Sequence, residues 1–167
     1  LVDSTVVIGK GAGAGVMTAA ADGTVAIGAG AGAAITEGVG NVAIGYQALD
    51  AATTEDKCTA LGYQALTALT GVDGESNNTA LGYQAGAALT TGLDNVLIGS
   101  GAGVAAALVD STVVIGKGAG AGVMTADADG TVAVGAAAGA AITTGQYNTA
   151  VGFQALDAAT TEDKCTA

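Results

Sequence analysis

An aliphatic residue followed directly by glycine recurs nine times along this chain: Ile8-Gly9, Ile27-Gly28, Ile44-Gly45, Leu61-Gly62, Leu81-Gly82, Ile98-Gly99, Ile115-Gly116, Val134-Gly135 and Val151-Gly152. The intervals are mostly 17 residues, with 19 or 20 where a coil carries extra residues at one place. Self-similarity at a short fixed period calls for one small unit stacked on copies of itself, each burying its apolar side against its neighbours. A longer period lies on top. Residues 1–60 return as 108–167, an offset of 107, with a few exchanges such as Tyr46 for Phe153. The chain therefore reads as one continuous array, 1–167, of about nine coils with a six-coil block duplicated. Cys165-Thr166-Ala167 matches Cys58-Thr59-Ala60, so the array is expected to be a window of a longer fibre.

Each coil predicts a short strand ahead of its glycine. Segments such as Thr24-Val25-Ala26-Ile27 and Asn95-Val96-Leu97-Ile98 are β-branched or apolar runs bounded by glycine, which favours strand and forfeits helix propensity. Side chains alternate across a strand, so Val25 and Ile27 share one face and Ala26 takes the other. Both faces are apolar. A strand of that kind is buried on both, one against the interior of its own coil and the other against a second copy of the chain. Alanine stands four residues after every aliphatic position, from Ala12 to Ala155, which predicts a column where only a methyl group fits. A second, weaker strand is expected through Ala48-Leu49-Asp50-Ala51-Ala52, before a Thr/Gly/Asp/Asn turn closes the coil.

Composition narrows the choices. The chain has 29 glycines, no proline and no tryptophan, and aromatic residues make up 3%. A globular core needs larger side chains; collagen needs proline and a three-residue glycine period; disorder needs lower hydrophobicity and denser charge. The net charge is −11, and Lys10, Lys57, Lys117 and Lys164 stand singly, which leaves no cationic track for nucleic acid. The carboxylates gather where coils turn, at Asp3, Asp22, Asp56, Asp110, Asp129 and Asp163, as solvated turn residues. No apolar run reaches the roughly 18 to 20 residues that span a bilayer, so no membrane insertion is expected of this segment.

Equivalent residues in stacked coils lie about 4.8 Å apart, which turns repeat positions into columns. Tyr46, Tyr63 and Tyr83 form one, with Phe153 as a later counterpart, and Gln47, Gln64, Gln84 and Gln154 lie beside it. Asn41, Asn78, Asn95 and Asn148 form another, interrupted by Cys58 and Cys165. Such ladders stabilise stacked strands. The Tyr46/Gln47, Tyr63/Gln64, Tyr83/Gln84 strip is also the candidate ligand site, since flat aromatic surface with adjacent amides suits sugars or protein. Cys58 and Cys165 occupy one repeat position; a small buried residue, an interchain contact or disulfide, and a reactive thiol are the three readings. The insertion 71–78 gathers oxygens but lacks the spacing of an EF-hand loop, and reads as a polar turn. No metal site and no cofactor is predicted. A flat threonine array for ice is poorly supported, because the Thr column alternates with Asn and Cys.

Catalysis has little to work with. Ile8-Gly9-Lys10-Gly11-Ala12-Gly13 resembles the hexapeptide unit of left-handed β-helical acyltransferases, but it occurs once per coil and the chain has no histidine. No Ser or Cys has a base partner in sequence, so an enzyme is not expected.

Asn-Thr/Val-Ala-Ile/Leu-Gly followed by small residues resembles the head repeat of trimeric autotransporter adhesins. The variant with Gly-Tyr-Gln-Ala-Leu, at 45–49 and 62–66, is similar to repeats of phage tail fibres. The resemblance implies a parallel β-roll in each chain, three chains in a fibre, and attachment to a host or surface. The coils here are longer than those of the usual adhesin head. The expectation is thus an all-β parallel β-solenoid with coils of 17–20 residues, packed as a homotrimeric, end-to-end fibre. Its role would be structural and adhesive, outside the cell, on a cell surface or on a virion, with a host glycan or protein as partner. The alternative is a self-assembling filament or matrix protein without a ligand.

Overall fold

The computed structural model describes residues 4–18, 21–70 and 74–167. Asp3 and the 71–73 part of the insertion lie outside them. The described chain is an all-β parallel solenoid. Its strands are β1 (Val6–Ile8), β2 (Val25–Ile27), β3 (Val42–Ile44), β4 (Glu55–Asp56), β5 (Thr59–Leu61), β6 (Gly74–Glu75), β7 (Thr79–Leu81), β8 (Val96–Ile98), β9 (Val113–Ile115), β10 (Val132–Val134) and β11 (Thr149–Val151). Nine of them form one sheet in the order β1-β2-β3-β5-β7-β8-β9-β10-β11, and β4 and β6 form a separate pair. Every pairing is parallel and in repeat register, as in Val25↔Val42 and Val42↔Thr59. Nine rungs are thus joined by eight full turns of about 17 residues. The one helical element described is a single 3-10 turn at Ala126–Ala128, capped by the Thr125 hydroxyl, and no helix there is long and apolar enough to cross a membrane.

The strand faces divide by size. The central residue of each rung from β2 onward (Ala26, Ala43, Ala60, Ala80, Leu97, Val114, Ala133, Ala150) is fully buried, while its β-branched or leucine neighbours are partly exposed. Alanine faces inward because the coil is thin and a second wall supplies the bulk. Apart from Val109, eleven after Ile98, the large interior apolar residue, counted from the aliphatic position, comes from one of three places. It is the residue before in Leu97 and Val114, the residue five after in Leu49 and Leu66, and the residue eight or nine after in Ile35, Leu69, Leu89, Met124 and Ile142. Where one place is large the others are usually small: Leu97 faces Gly103 and Ala106, and Ile35 faces Ala26 and Gly32. Close packing of a fixed cross-section requires that exchange.

The expected second strand through Ala48–Ala52 is a turn. Gln47 and Leu49 have φ of 51° and 50°, left-handed values incompatible with extended backbone, and alternating hands fold the chain back within a few residues. The coil-to-coil ladder continues regardless: the Gly32 N–H donates to the Ala48 carbonyl at 2.8 Å and that of Leu49 to Ala65 at 3.1 Å. Backbone groups are satisfied between coils without strand geometry.

The glycine after each aliphatic residue answers two demands at once. Gly9, Gly28 and Gly99 have φ of 130° to 134°, a region few other residues adopt. A methyl group on any of the three would also lie 2.6 Å from the glycine carbonyl oxygen of the next coil. The alanine column behaves as its uniformity predicts: Ala31, Ala48, Ala65, Ala85, Ala102, Ala119 and Ala138 have no exposed surface, and Ala155, in the last coil, is half-buried.

Candidate functional site

The left-handed glycine at the end of each strand turns the next residue outward. Tyr46, Tyr63 and Tyr83 all occupy that place, each about half exposed. Their rings stack with centroids 5.1 Å apart at 16° and 5.3 Å apart at 14°. Beside them Gln64 donates its side-chain N–H to Gln47 Oε1 at 3.0 Å, and Gln84 donates to Gln64 Oε1 at 3.0 Å. These glutamines hold φ of 51° to 52°, a strained value for a side-chain-bearing residue that the amide ladder offsets. The strip exists as a continuous surface, but its ring faces lie mostly against one another. It offers solvent phenol hydroxyls and ring edges along its length, and free ring faces at its two ends. Phe153 is more exposed, at 76%, and its neighbour in the column is Ala136.

The same column contains residues that inspection for aromatics passes over. A backbone ladder tracks it through the array: Gly30 N–H to Lys10 O, Gln47 to Ala29, Gln64 to Tyr46, Gln84 to Tyr63, Gly101 to Tyr83, Gly118 to Ser100, Ala137 to Lys117 and Gln154 to Ala136, at 2.8 to 3.0 Å. The order is therefore Lys10, Ala29, Tyr46, Tyr63, Tyr83, Ser100, Lys117, Ala136, Phe153. The signal that finds the lysines and small residues is the constant offset of two from the aliphatic position.

The asparagine column lies inside. Asn41, Asn78, Asn95 and Asn148 each donate from Nδ2 to a carbonyl 14 residues on: Glu55 at 2.6 Å, Gly92 at 2.7 Å, Val109 at 2.7 Å and Glu162 at 2.7 Å. Their Oδ1 atoms accept backbone N–H groups of the next coil, from Cys58 (2.9 Å), Asn95 (3.0 Å), Thr112 (3.0 Å) and Cys165 (2.8 Å). One buried amide thus satisfies two groups that coil closure strands, and none of the four side chains is exposed to solvent. The turn carboxylates have a similar structural duty: Asp56, Asp110 and Asp163 accept from the N–H of Val39, Leu93 and Gln146 at 2.7 to 2.8 Å.

Cys58 takes an asparagine position. It has no exposed surface, and its Sγ contacts the Asp56 carbonyl at 3.6 Å. Burial, joined by the Glu55 and Asp56 carboxylates, pushes its thiol up to about 11, against the opposing pull of the Asn78 N–H and the Ser76 hydroxyl. A thiol so held is protonated at neutral pH and a poor nucleophile, and an interchain disulfide through Cys58 requires its sulfur to leave the coil interior. Cys165, in the last coil, is half-buried, with Sγ 3.8 Å from the Asp163 carbonyl. Both cysteines are free thiols.

At the insertion, β4 pairs with β6, and Lys57 forms an ion pair with Glu75. Glu55 is buried there; its Oε2 accepts the N–H groups of Thr53 and Thr54, while its Oε1 is buried without a partner. Among the described residues no group of three His, Cys, Asp or Glu side chains is placed to hold a metal ion. No family model, no curated protein and no solved structure matches this chain.

Proposed function

We propose that the chain is a structural and adhesive segment of an extracellular or virion-associated fibre, in which three copies pack through the outward strand face. The observation that carries this reading is the apolar column that face presents: Val25/Ile27, Val42/Ile44, Val96/Ile98, Val113/Ile115 and Val132/Val134, each half-exposed, with Leu61, Leu81 and Val151 exposed. A contiguous apolar strip of that length marks an interaction surface. The likeness of the repeat to trimeric adhesin heads and tail-fibre Gly-Tyr-Gln-Ala-Leu segments favours three chains over two. The action would be multivalent: a stiff array repeats one weak contact many times, and linked contacts bind more tightly than any one alone.

A second reading, a self-assembling filament or matrix protein without a ligand, draws on the stacked tyrosines, whose ring faces are occupied by one another.

Light scattering on the folded segment tests the assembly. The expected mass is that of three chains, falling to one in the double variant Ile44→Asp, Ile98→Asp with far-UV circular dichroism unchanged. A monomeric parent, or a trimer that survives both aspartates, overturns the proposed face. Screening the assembled segment on glycan arrays and cell surfaces then separates adhesin from filament.

A further inference from the structure

We infer that the steps in the aromatic column are binding shelves for planar aromatic anions, the most open being the step at Ser100, between Tyr83 and Lys117. The inference goes beyond the fibre reading and does not depend on it, since a single solenoid carries the same column.

Three features converge there. First, the Tyr83 ring has one face on Tyr63, and on its other side the column drops to the short Ser100 side chain. Lys117 stands one coil further on, and two coil spacings amount to about 10 Å. A flat π-system needs about 3.5 to 4 Å to the atoms on each side, so one ring fits between the phenol face and the lysine. Second, the floor is clear: a methyl group built on Gly101 or on Gly118 meets nothing within 4 Å. The amide ladder also ends here, because Gly101 follows Gln84 in its column, and Gln84 Oε1 is left as a free acceptor at the shelf edge. Third, the local charge favours an anion despite the acidic chain. Lys117 has no ion-pair partner among the described residues, and from Val96 to Met124 the one other charged residue is Asp110, engaged at the coil turn with the Leu93 N–H.

The alternation recurs in the column as Lys10–Ala29–Tyr46 and as Lys117–Ala136–Phe153. The Ala29 step is narrower, for Gln47 Cγ would lie 3.3 Å from a methyl on Gly30, so its glutamine leans over the shelf. Ser100 is therefore the site of choice. The ligand class follows: an aryl carboxylate or similar planar anion, its ring on Tyr83 and its charge towards Lys117.

The test uses 2-naphthoate, titrated into the protein in the form it takes in solution and followed by amide chemical shifts. Shift changes are expected at Ser100 and Gly101, and none from cyclohexanecarboxylate, which has the charge without the flat ring. Lys117→Gln should weaken binding about 2- to 5-fold, as expected for an exposed cation beside a π-system. Ser100→Tyr should abolish the response at Gly101 by extending the ladder into the step. Both positions are exposed, so folding is retained, and circular dichroism verifies it. Absence of naphthoate shifts at Ser100 and Gly101, equal binding of cyclohexanecarboxylate, or unchanged binding in Ser100→Tyr would overturn the assignment.

Discussion

Leu97 and Ala106 should be energetically exchangeable. Leu97 has no exposed surface, and methyl groups placed on Gly86 and Gly103 would lie 2.6 and 2.9 Å from its side-chain carbons, so it fills the interior of its own coil and reaches the coil before. Leu97→Ala removes three carbons at about 0.8 kcal/mol each and leaves a cavity, for a loss of about 3 to 5 kcal/mol. Ala106→Leu alone adds the same volume to a full cross-section and should cost about 1 to 3 kcal/mol through overpacking. Two other coils already contain the exchanged arrangement, with Ala26 small and Ile35 large around Gly32, and Ala133 small and Ile142 large around Gly139. The double variant should therefore lie within about 1.5 kcal/mol of the parent, as volume-conserving swaps do, giving a strongly favourable coupling in a double-mutant cycle. Urea unfolding followed by circular dichroism measures all four proteins. Additive losses, with the double variant down by about 4 kcal/mol or more, would refute the shared cross-section.

Two further outcomes follow from the interior ladder. Asn95→Leu strips the partner from the Val109 carbonyl, the Thr112 N–H and the Thr112 hydroxyl; at about 1 to 3 kcal/mol for each stranded buried group, unfolding experiments should show a loss of at least about 3 kcal/mol. Cys58 ionises near 9.0 when unfolded and at about 11 in the fold, so the folded state holds the proton more tightly. Its contribution is complete below pH 9 and is lost between pH 9 and 11, at about 1.4 kcal/mol per pH unit; Cys58→Ser should flatten that part of the stability curve, and a thiol reagent should modify Cys165 before Cys58.

The tyrosine and glutamine ladders were legible because repeat spacing places Tyr46, Tyr63 and Tyr83 in adjacent coils, and parallel register then leaves their rings nowhere else to go. The lysines of the same column were equally legible from their offset, but they draw notice only once a ring face is known to be free. The inward direction of the asparagines was hidden: a polar side chain at a strand end reads as solvent-facing until the closing carbonyls of Glu55, Gly92 and Val109 are seen to need a donor. Leu49 and Leu66 misled in the same way. An apolar residue in a run of small ones suggests strand, whereas each here holds a left-handed φ of 50° because its side chain fills the coil interior.

Periodicity by itself determined the rungs, their register and their columns. Each of these is a relation between a residue and its equivalent one coil away, and a constant interval in the sequence states that relation directly. Tertiary structure alone decided which strand face turns inward and which residue fills each coil. Those follow from the volume of a closed cross-section, shared among positions before, five after and eight or nine after the aliphatic residue. Volume in a closed ring is a sum over the whole coil, and no single position carries it.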